Sequence, residues 1–422
     1  MRIASLLFMH GLRASRLAKF GIALALPFAA IACDIPDDPA QDTAVQTEKK
    51  EHHHHGESHE ADDDSSAAKH THESHKTDRV RGDSRQSSID PSAPPASAST
   101  STSTIPSGVR WYMTLHDAGA RDPVTGQESV LGFGADGIAA GGVLTKVPDA
   151  EGELQDLRGM LPLADGTLLV ISAWKHNTQI LRFGSPNADS RRPFLDVFTR
   201  SGDDNPLLVH PYAMAIAPDG SILVSNQDSN TVTRYGAPGS STAGKPLGRD
   251  GQPETGTKTA GLVVPSREME KHGVKEVRGI AVTPDGTLLV ADRGKGEVTH
   301  WNINTGECMG VLASKSDGIE TPIQLLLAPD ESTLYISDNK RNEVFRLQLP
   351  DGKASVFICE DAGVDATSSL AIHDGYLYVG SRKAREILRF RLSDGVADAK
   401  PFIANLPDNP EFFIANPSEA NP

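Results

Sequence analysis

Five polar residues recur at one place in this 422-residue chain: Asp156, His210, Glu276, Thr321 and Asp365 each stand nine positions ahead of an aspartate that opens a tight turn. Two positions further along come Arg158, Tyr212, Arg278, Ile323 and Thr367. Carboxylates and an imidazole brought to one centre are ligands for a divalent cation such as Ca, Zn or Mg, and the two guanidiniums offer paired donors to an anionic group. A cation held near Asp156, His210, Glu276 and Asp365 would polarise a carbonyl while His210 or a bound water moves a proton. The competing account is a set of solvated polar groups at the mouth of a binding surface, with no chemistry of their own.

A second chemical signal lies far upstream. His52, His53, His54, His55, His59, His70, His72 and His75 fall among Glu51, Glu57, Glu60 and the run from Asp62 to Asp64. Neutral imidazoles beside carboxylates capture zinc, copper or nickel, although a polar tract of this kind encodes no fixed geometry. The alternative is a solvated spacer whose histidines charge only under mildly acidic conditions.

The first set needs elements to hold it, and the repeat supplies them. Segments 159–172, 213–226, 279–292, 324–338 and 368–381 each join two apolar runs through a turn headed by Asp165, Asp219, Asp285, Asp330 or Asp374. Asp-Gly between such runs signals a β-hairpin, because glycine accepts the positive φ of a strand-matched turn. The fourth copy departs by one inserted residue after its aspartate. Third strands follow at 179–183, 231–235, 297–301, 343–347 and 386–390, and outer strands at 193–198, 307–312, 354–358 and 401–403. The turn aspartates are separated by 54, 66, 45 and 44 residues, and units of four strands with a period near 45 and longer insertions in the first two steps are the signature of a propeller.

These strands resemble NHL-type repeats, in the group with streptogramin-lyase-like, gluconolactonase-like and amidating-lyase propellers, from Leu157 to about Ala415. The resemblance implies the fold far more firmly than an activity. Enzymes of that group place particular acid, asparagine or histidine sets around the channel, and none of those patterns matches here residue by residue. His210 is the one histidine at a strand entry; His300 lies in a third strand and His373 in a hairpin turn. Motifs of serine hydrolases, nucleotide enzymes, zincins and c-type haem proteins are absent from the sequence.

Five units do not close a ring. The segment 410–415 reads as one more first strand, and its partners must come from 109–114, 129–133 and 142–145. The expected fold is therefore all-β: six four-stranded blades, the last assembled from both ends of the domain, which removes the exposed edges. A seventh blade built from 108–150 is the alternative. Strand polarity puts the Asp-Gly turns on one face and the five strand entries on the other. Ser172, Asn226, Asp292, Asp338 and Ser381, which close the second strands, are expected, as the resemblance to NHL-like blades implies, to hydrogen-bond the turn that follows and to have no catalytic role. Cys308 and Cys359 sit near outer strands of neighbouring units and would pair only if their Cα atoms lie within about 7 Å. The insertion from Gly236 to about Lys275 is a long loop, and its end from Ser266 to Glu276 either covers the polar face or stays mobile.

The ends of the chain bear on location. Residues 1–32 carry Arg2, Arg13, Arg16 and Lys19 and then an apolar stretch too short to span a bilayer, which is the pattern of an export signal. Ala30-Ile31-Ala32-Cys33 resembles the lipobox of bacterial lipoproteins, with Ala30 where leucine is usual, so Cys33 is the expected lipidation site. Residues 33–107 form a polar tether, rich in histidine and then in serine, threonine and proline, and 108–422 form the propeller. The chain carries a net charge of −15, a poor match for nucleic acid. The resulting expectation is a monomeric, lipid-anchored propeller in the cell envelope, periplasmic or outer-surface, that binds a protein, peptide or envelope glycan without catalysis. A metal-dependent lactonase or lyase at the propeller mouth, and metal capture by the histidine tract, are the alternatives.

Overall fold

The computed structural model describes residues 108–116, 121–350 and 352–416. They form six blades around a central channel. Blade 1 pairs Pro410–Ala415 with Trp111–Leu115, Leu131–Phe133 and Ala139–Gly142. Blade 2 runs Leu157–Pro162, Leu168–Ser172, Gln179–Phe183, Phe194–Arg200, and blade 3 runs Pro211–Ile216, Ile222–Asn226, Thr231–Tyr235, Leu262–Val264. Blade 4 comprises Val277–Val282, Thr287–Asp292, Glu297–Asn302 and Cys308–Ala313; blade 5 comprises Pro322–Leu327, Thr333–Asp338, Glu343–Gln348 and Ser355–Ile358. Blade 6 has Thr367–His373, Tyr376–Ser381 and Glu386–Arg391, and its outer strand is reduced to bridges from Ile387 to Ile403 and from Phe390 to Ala397.

The ring closes as a mixed blade and without a seventh. Trp111 pairs with Ala415 and Met113 with Phe413, while Trp111 stacks on Phe413 at 4.6 Å and packs against Tyr378 of blade 6 at 4.4 Å. On the other side Arg192 is fully buried and bonds to Tyr112 Oη at 3.1 Å, Gly166 O at 2.8 Å and Gly184 O at 2.9 Å, tying blade 1 to blade 2. A guanidinium so enclosed is tolerable because its donors find acceptors.

Three details differ from the sequence expectation. The outer strand of blade 1 is Ala139–Gly142, so that of segment 142–145 only Gly142 belongs to it, while Leu144 makes an isolated bridge in parallel with Arg192 of blade 2. The long insertion supplies the outer strand of blade 3, since Val232 pairs with Val264 and covers an edge that would otherwise be exposed. Its end is a folded turn in which Arg267 N donates to Val274 O at 2.8 Å and Lys295 Nζ to Gly273 O at 2.9 Å. Cys308 and Cys359 are both free thiols.

The hairpins form as turn chemistry dictates. Gly286 takes φ 85°, and Asp285 Oδ1 accepts the Thr287 N–H at 3.2 Å. Deeper in the blades, close approach makes glycine obligatory. A Cβ on Gly279 would lie 2.6 Å from Ile323 O and 2.9 Å from Gln324 Cα of blade 5. Gly279→Ala would ordinarily gain a little stability through the unfolded chain. Here both obstacles are backbone, so the substitution is expected to cost about 1–3 kcal/mol, read as a lowered urea midpoint with unchanged slope.

Candidate functional site

The two ends of the channel differ, and the chemistry gathers where the innermost strands begin. One hydrogen bond defines this mouth in every blade: the residue after the second strand donates its N–H to the carbonyl of the residue before the first. Ala173 bonds to Asp156, Gln227 to His210, Arg293 to Glu276, Asn339 to Thr321, Arg382 to Ala366 and His116 to Asn409, all at 2.9 to 3.1 Å. The six structurally equivalent entry positions are therefore Asp156, His210, Glu276, Thr321, Ala366 and Asn409.

Asp365 is displaced from this ring by one residue. Blade 6 has a tighter hairpin in which His373 pairs directly with Tyr376, so counting back from Asp374 overshoots the entry. Ala366 takes the left-handed φ of 57° that Asp156 and His210 take at 56° and 49°, and Asp365 is half exposed with Lys383 at 3.8 Å. Thr321 lies at its entry, but its hydroxyl is engaged by Asp338 Oδ1 at 3.1 Å and by the Lys340 N–H at 2.8 Å.

The residues closing the second strands hold the entry loops. Asp292 accepts from Lys275 N at 2.9 Å and Glu276 N at 3.0 Å, Asp338 accepts from Glu320 N and Thr321 N, and Ser381 accepts from Asp365 N at 2.8 Å. Fully buried carboxylates are acceptable there because backbone donors satisfy them.

One step inside the entries, the first strands bulge and present Arg158, Tyr212, Arg278, Ile323, Ser368 and Glu411. Blades 1 to 4 contribute the polar chemistry, and Ser368 turns aside to donate to Pro410 O at 2.8 Å. Arg158 is bound by Asp156 Oδ1 at 2.7 Å and reaches His116 O at 3.2 Å. His210 Nδ1 meets Asp228 Oδ1 at 3.1 Å, and its Nε2 lies 3.5 Å from both Asp156 Oδ2 and Arg158 Nη2. Tyr212 crosses the channel from blade 3 to blade 1, with its ring 5.1 Å from Phe412.

Glu411 is a buried charge facing the channel at the mouth. Its side chain is 4% exposed, with Arg382 Nη2 3.6 Å away. Burial by itself would raise its pKa; the charges of Arg382, Arg158 and His116, together with a hydrogen bond from Tyr212, outweigh burial and hold the carboxyl below its usual range. Arg278 is in the opposite situation. Its Nη1 donates to Val277 O at 2.9 Å and its guanidinium lies 5.9 Å over the Tyr212 ring, but no carboxylate of the described residues comes within ion-pair distance. Burial first, and repulsion from Arg293 second, weaken its hold on the proton against the pull of Tyr212, Glu276 and Glu411. A guanidinium stays charged regardless, so an arriving anion would relieve that cost.

Asp156, Arg158, His210, Tyr212, Glu276 and Arg278 thus share the mouth. Glu411, His116, Arg382 and Asp228 belong to it as well and were missed. Segment 410–415 was recognisable as a first strand, and Glu411 occupies in it the place of Arg158 and Arg278; that alignment was the available signal. Among the described residues no three His, Cys, Asp or Glu side chains converge as metal ligands do. Cys33 and the histidine tract lie outside the described residues.

No protein-family model matches the chain, and no curated protein matches it. Among solved structures, a chain from the crystal structure of a nidogen/laminin complex is similar at TM-score 0.52 and 13% identity, covering 73% of this chain and 99% of that one. A structural genomics protein of unknown function from Bacteroides thetaiotaomicron aligns at TM-score 0.45 and 13% identity over 72% of this chain and 71% of its own. At such identity the nidogen/laminin likeness speaks to architecture alone, and it agrees with the blade topology: the described residues of this chain form a six-bladed β-propeller.

Proposed function

We propose that this protein is an exported, lipid-anchored propeller of NHL-type repeats that works as a binding module without catalysis, taking an acidic side chain of a protein or peptide partner at the channel mouth. Arg278 carries the proposal. It is a half-buried guanidinium that opens on the channel, lacks a carboxylate partner and is flanked by Arg293, while the neighbouring Arg158 is already neutralised by Asp156. The nidogen/laminin neighbour comes from a complex between proteins, which fits a propeller used as a recognition surface. Cys33 would anchor the domain to the envelope through the tether, and the histidine tract would capture divalent metal as a separate duty.

Arg278→Gln is the test. Binding of fluorescent hexaglutamate to the full chain, followed by anisotropy at low salt, is expected to weaken about tenfold in the variant, the loss of one charge-assisted contact of roughly 1.4 kcal/mol. Thermal stability should not fall, because a desolvated charge is removed. Equal affinity in the two proteins would remove Arg278 from any binding role.

A further inference from the structure

The third strands of blades 2 to 6 carry a basic residue at one shared register position: Arg182, Arg234, His300, Arg346 and Arg389 lie opposite Leu169, Leu223, Leu289, Tyr335 and Tyr378. Three of the four arginines are neutralised, Arg182 by Asp196, Arg234 by Asp219 and Arg389 by Asp398. Arg346 has no carboxylate of the described residues within ion-pair distance. Its guanidinium lies 5.2 Å over the ring of Phe357, which packs edge-on to Tyr335 at 5.3 Å.

The inserted residue of the fourth repeat explains the exception. In blade 3, Asp219 Oδ1 holds the Ser221 N–H at 3.1 Å and leaves Oδ2 to Arg234. In blade 5, Glu331 lengthens the turn and takes φ 57°. Asp330 then spends Oδ1 on Ser332 N and Thr333 N, at 2.9 and 2.8 Å, and Oδ2 on Thr333 Oγ1 at 2.6 Å. The turn satisfies its own aspartate, and Arg346 is left with a hydrogen bond to the Tyr335 hydroxyl in place of a carboxylate.

Arg346 faces a cleft of about 640 Å³ between blades 5 and 6, on the hairpin-turn face and so at the other end of the propeller from the mouth. Thr333, Tyr335, Gln348 and Asp330, whose carboxylate is engaged by its own turn, line it from blade 5, and Ile372, His373, Leu392 and Asp374, which lies 3.1 Å from His373 Nε2, line it from blade 6. The corresponding cleft between blades 3 and 4 is smaller, about 280 Å³, and its Arg234 is already tied to Asp219. We propose that the cleft between blades 5 and 6 is a second ligand site, for a carboxylate-bearing sugar of the uronate class.

The guanidinium fork takes the carboxylate, and its stacking on Phe357 limits the side-chain freedom lost on binding. Tyr335, Ile372 and Leu392 offer apolar surface to one face of a pyranose, and Thr333, Gln348 and His373 are polar side chains beside it. An extended acidic peptide would use the guanidinium and leave that surface bare. The volume suits a ligand of a few sugar rings.

Calorimetric titration of the full chain with trigalacturonate tests the site, with neutral galactotriose as comparison. Trigalacturonate is expected to bind, galactotriose to bind at least about tenfold more weakly, and Arg346→Gln to lose about tenfold in affinity while keeping its unfolding midpoint. Arg182→Gln, at the same register position but already paired with Asp196, should bind trigalacturonate as the natural chain does, which ties the loss to the arginine of this cleft. Deleting Glu331 should return Asp330 to Arg346 and produce the same loss. The assignment is overturned if the natural chain shows no trigalacturonate binding, if Arg346→Gln or a folded Glu331 deletion binds undiminished, or if Arg182→Gln loses as much affinity as Arg346→Gln.

Discussion

Replacing Glu411 with alanine is expected to destabilise the propeller by about 3 kcal/mol, toward the lower end of the range for breaking a buried ion pair. The substitution removes the buried carboxylate whose field Arg382, Arg158 and His116 share, and Tyr212 loses its hydrogen-bond acceptor across the bore. The lower end applies because Arg382 is 24% exposed, so water can partly replace the carboxylate. The effect carries a pH signature. Glu411 has a folded pKa below its unfolded one, so its contribution is complete above the unfolded value of about 4.3 and fades as pH falls through the folded value. Urea unfolding of the natural chain and Glu411→Ala should therefore differ most near neutral pH and converge in acid. A difference below about 1 kcal/mol at pH 7 would mean that the mouth does not depend on this charge.

Glu128→Gln should do the reverse. Glu128 is 6% exposed, and its pKa is pushed up to about 7, chiefly by burial and further by the charge of Asp156, against hydrogen bonds from the Leu157 and Asp156 N–H groups and the charge of Arg121. A carboxyl with a raised folded pKa binds its proton more tightly in the native state, so stability falls as pH rises from about 4.5 through 7. Glutamine keeps an acceptor for the two N–H groups and never ionises. The variant should be more stable above pH 7.5 by up to about 3 kcal/mol, and the gap should close near pH 5. Thermal midpoints between pH 5 and 8.5 would show it; parallel curves for the two proteins would contradict an ionising Glu128. Those same N–H groups belong to the entry of blade 2, so ionisation of Glu128 also sets a negative charge beside Asp156 at the mouth.

Much of the architecture was legible because its determinants are local. Asp285-Gly286 reads as a hairpin since one carboxylate oxygen and one positive φ make the turn, and both are visible in two letters of sequence. The closing blade was legible too, from an unpartnered first strand at 410–415 and spare strands upstream. Blade 6 was harder. Its hairpin is one residue shorter, so a fixed offset from Asp374 selected Asp365 where the backbone uses Ala366. The outer strand of blade 3 was hidden in an insertion because Leu262–Val264 carries no hairpin partner next to it in sequence.

The sequence by itself determined the fold class, the face that carries the strand entries and the backbone-bonding role of Asp292 and Asp338, because each follows from strand period and turn chemistry within one repeat; it left six blades against seven, and closure of the ring decided for six. Only the tertiary structure decided which charges meet. Closure of the ring brings Glu411 beside Tyr212, Arg158 and Arg382, while Asp156 neutralises Arg158 and Arg278 is left without a carboxylate. The reason is that pairing across a channel depends on rotation between blades and on single-residue differences in turn length. Those quantities accumulate around the whole ring, and no local pattern encodes them.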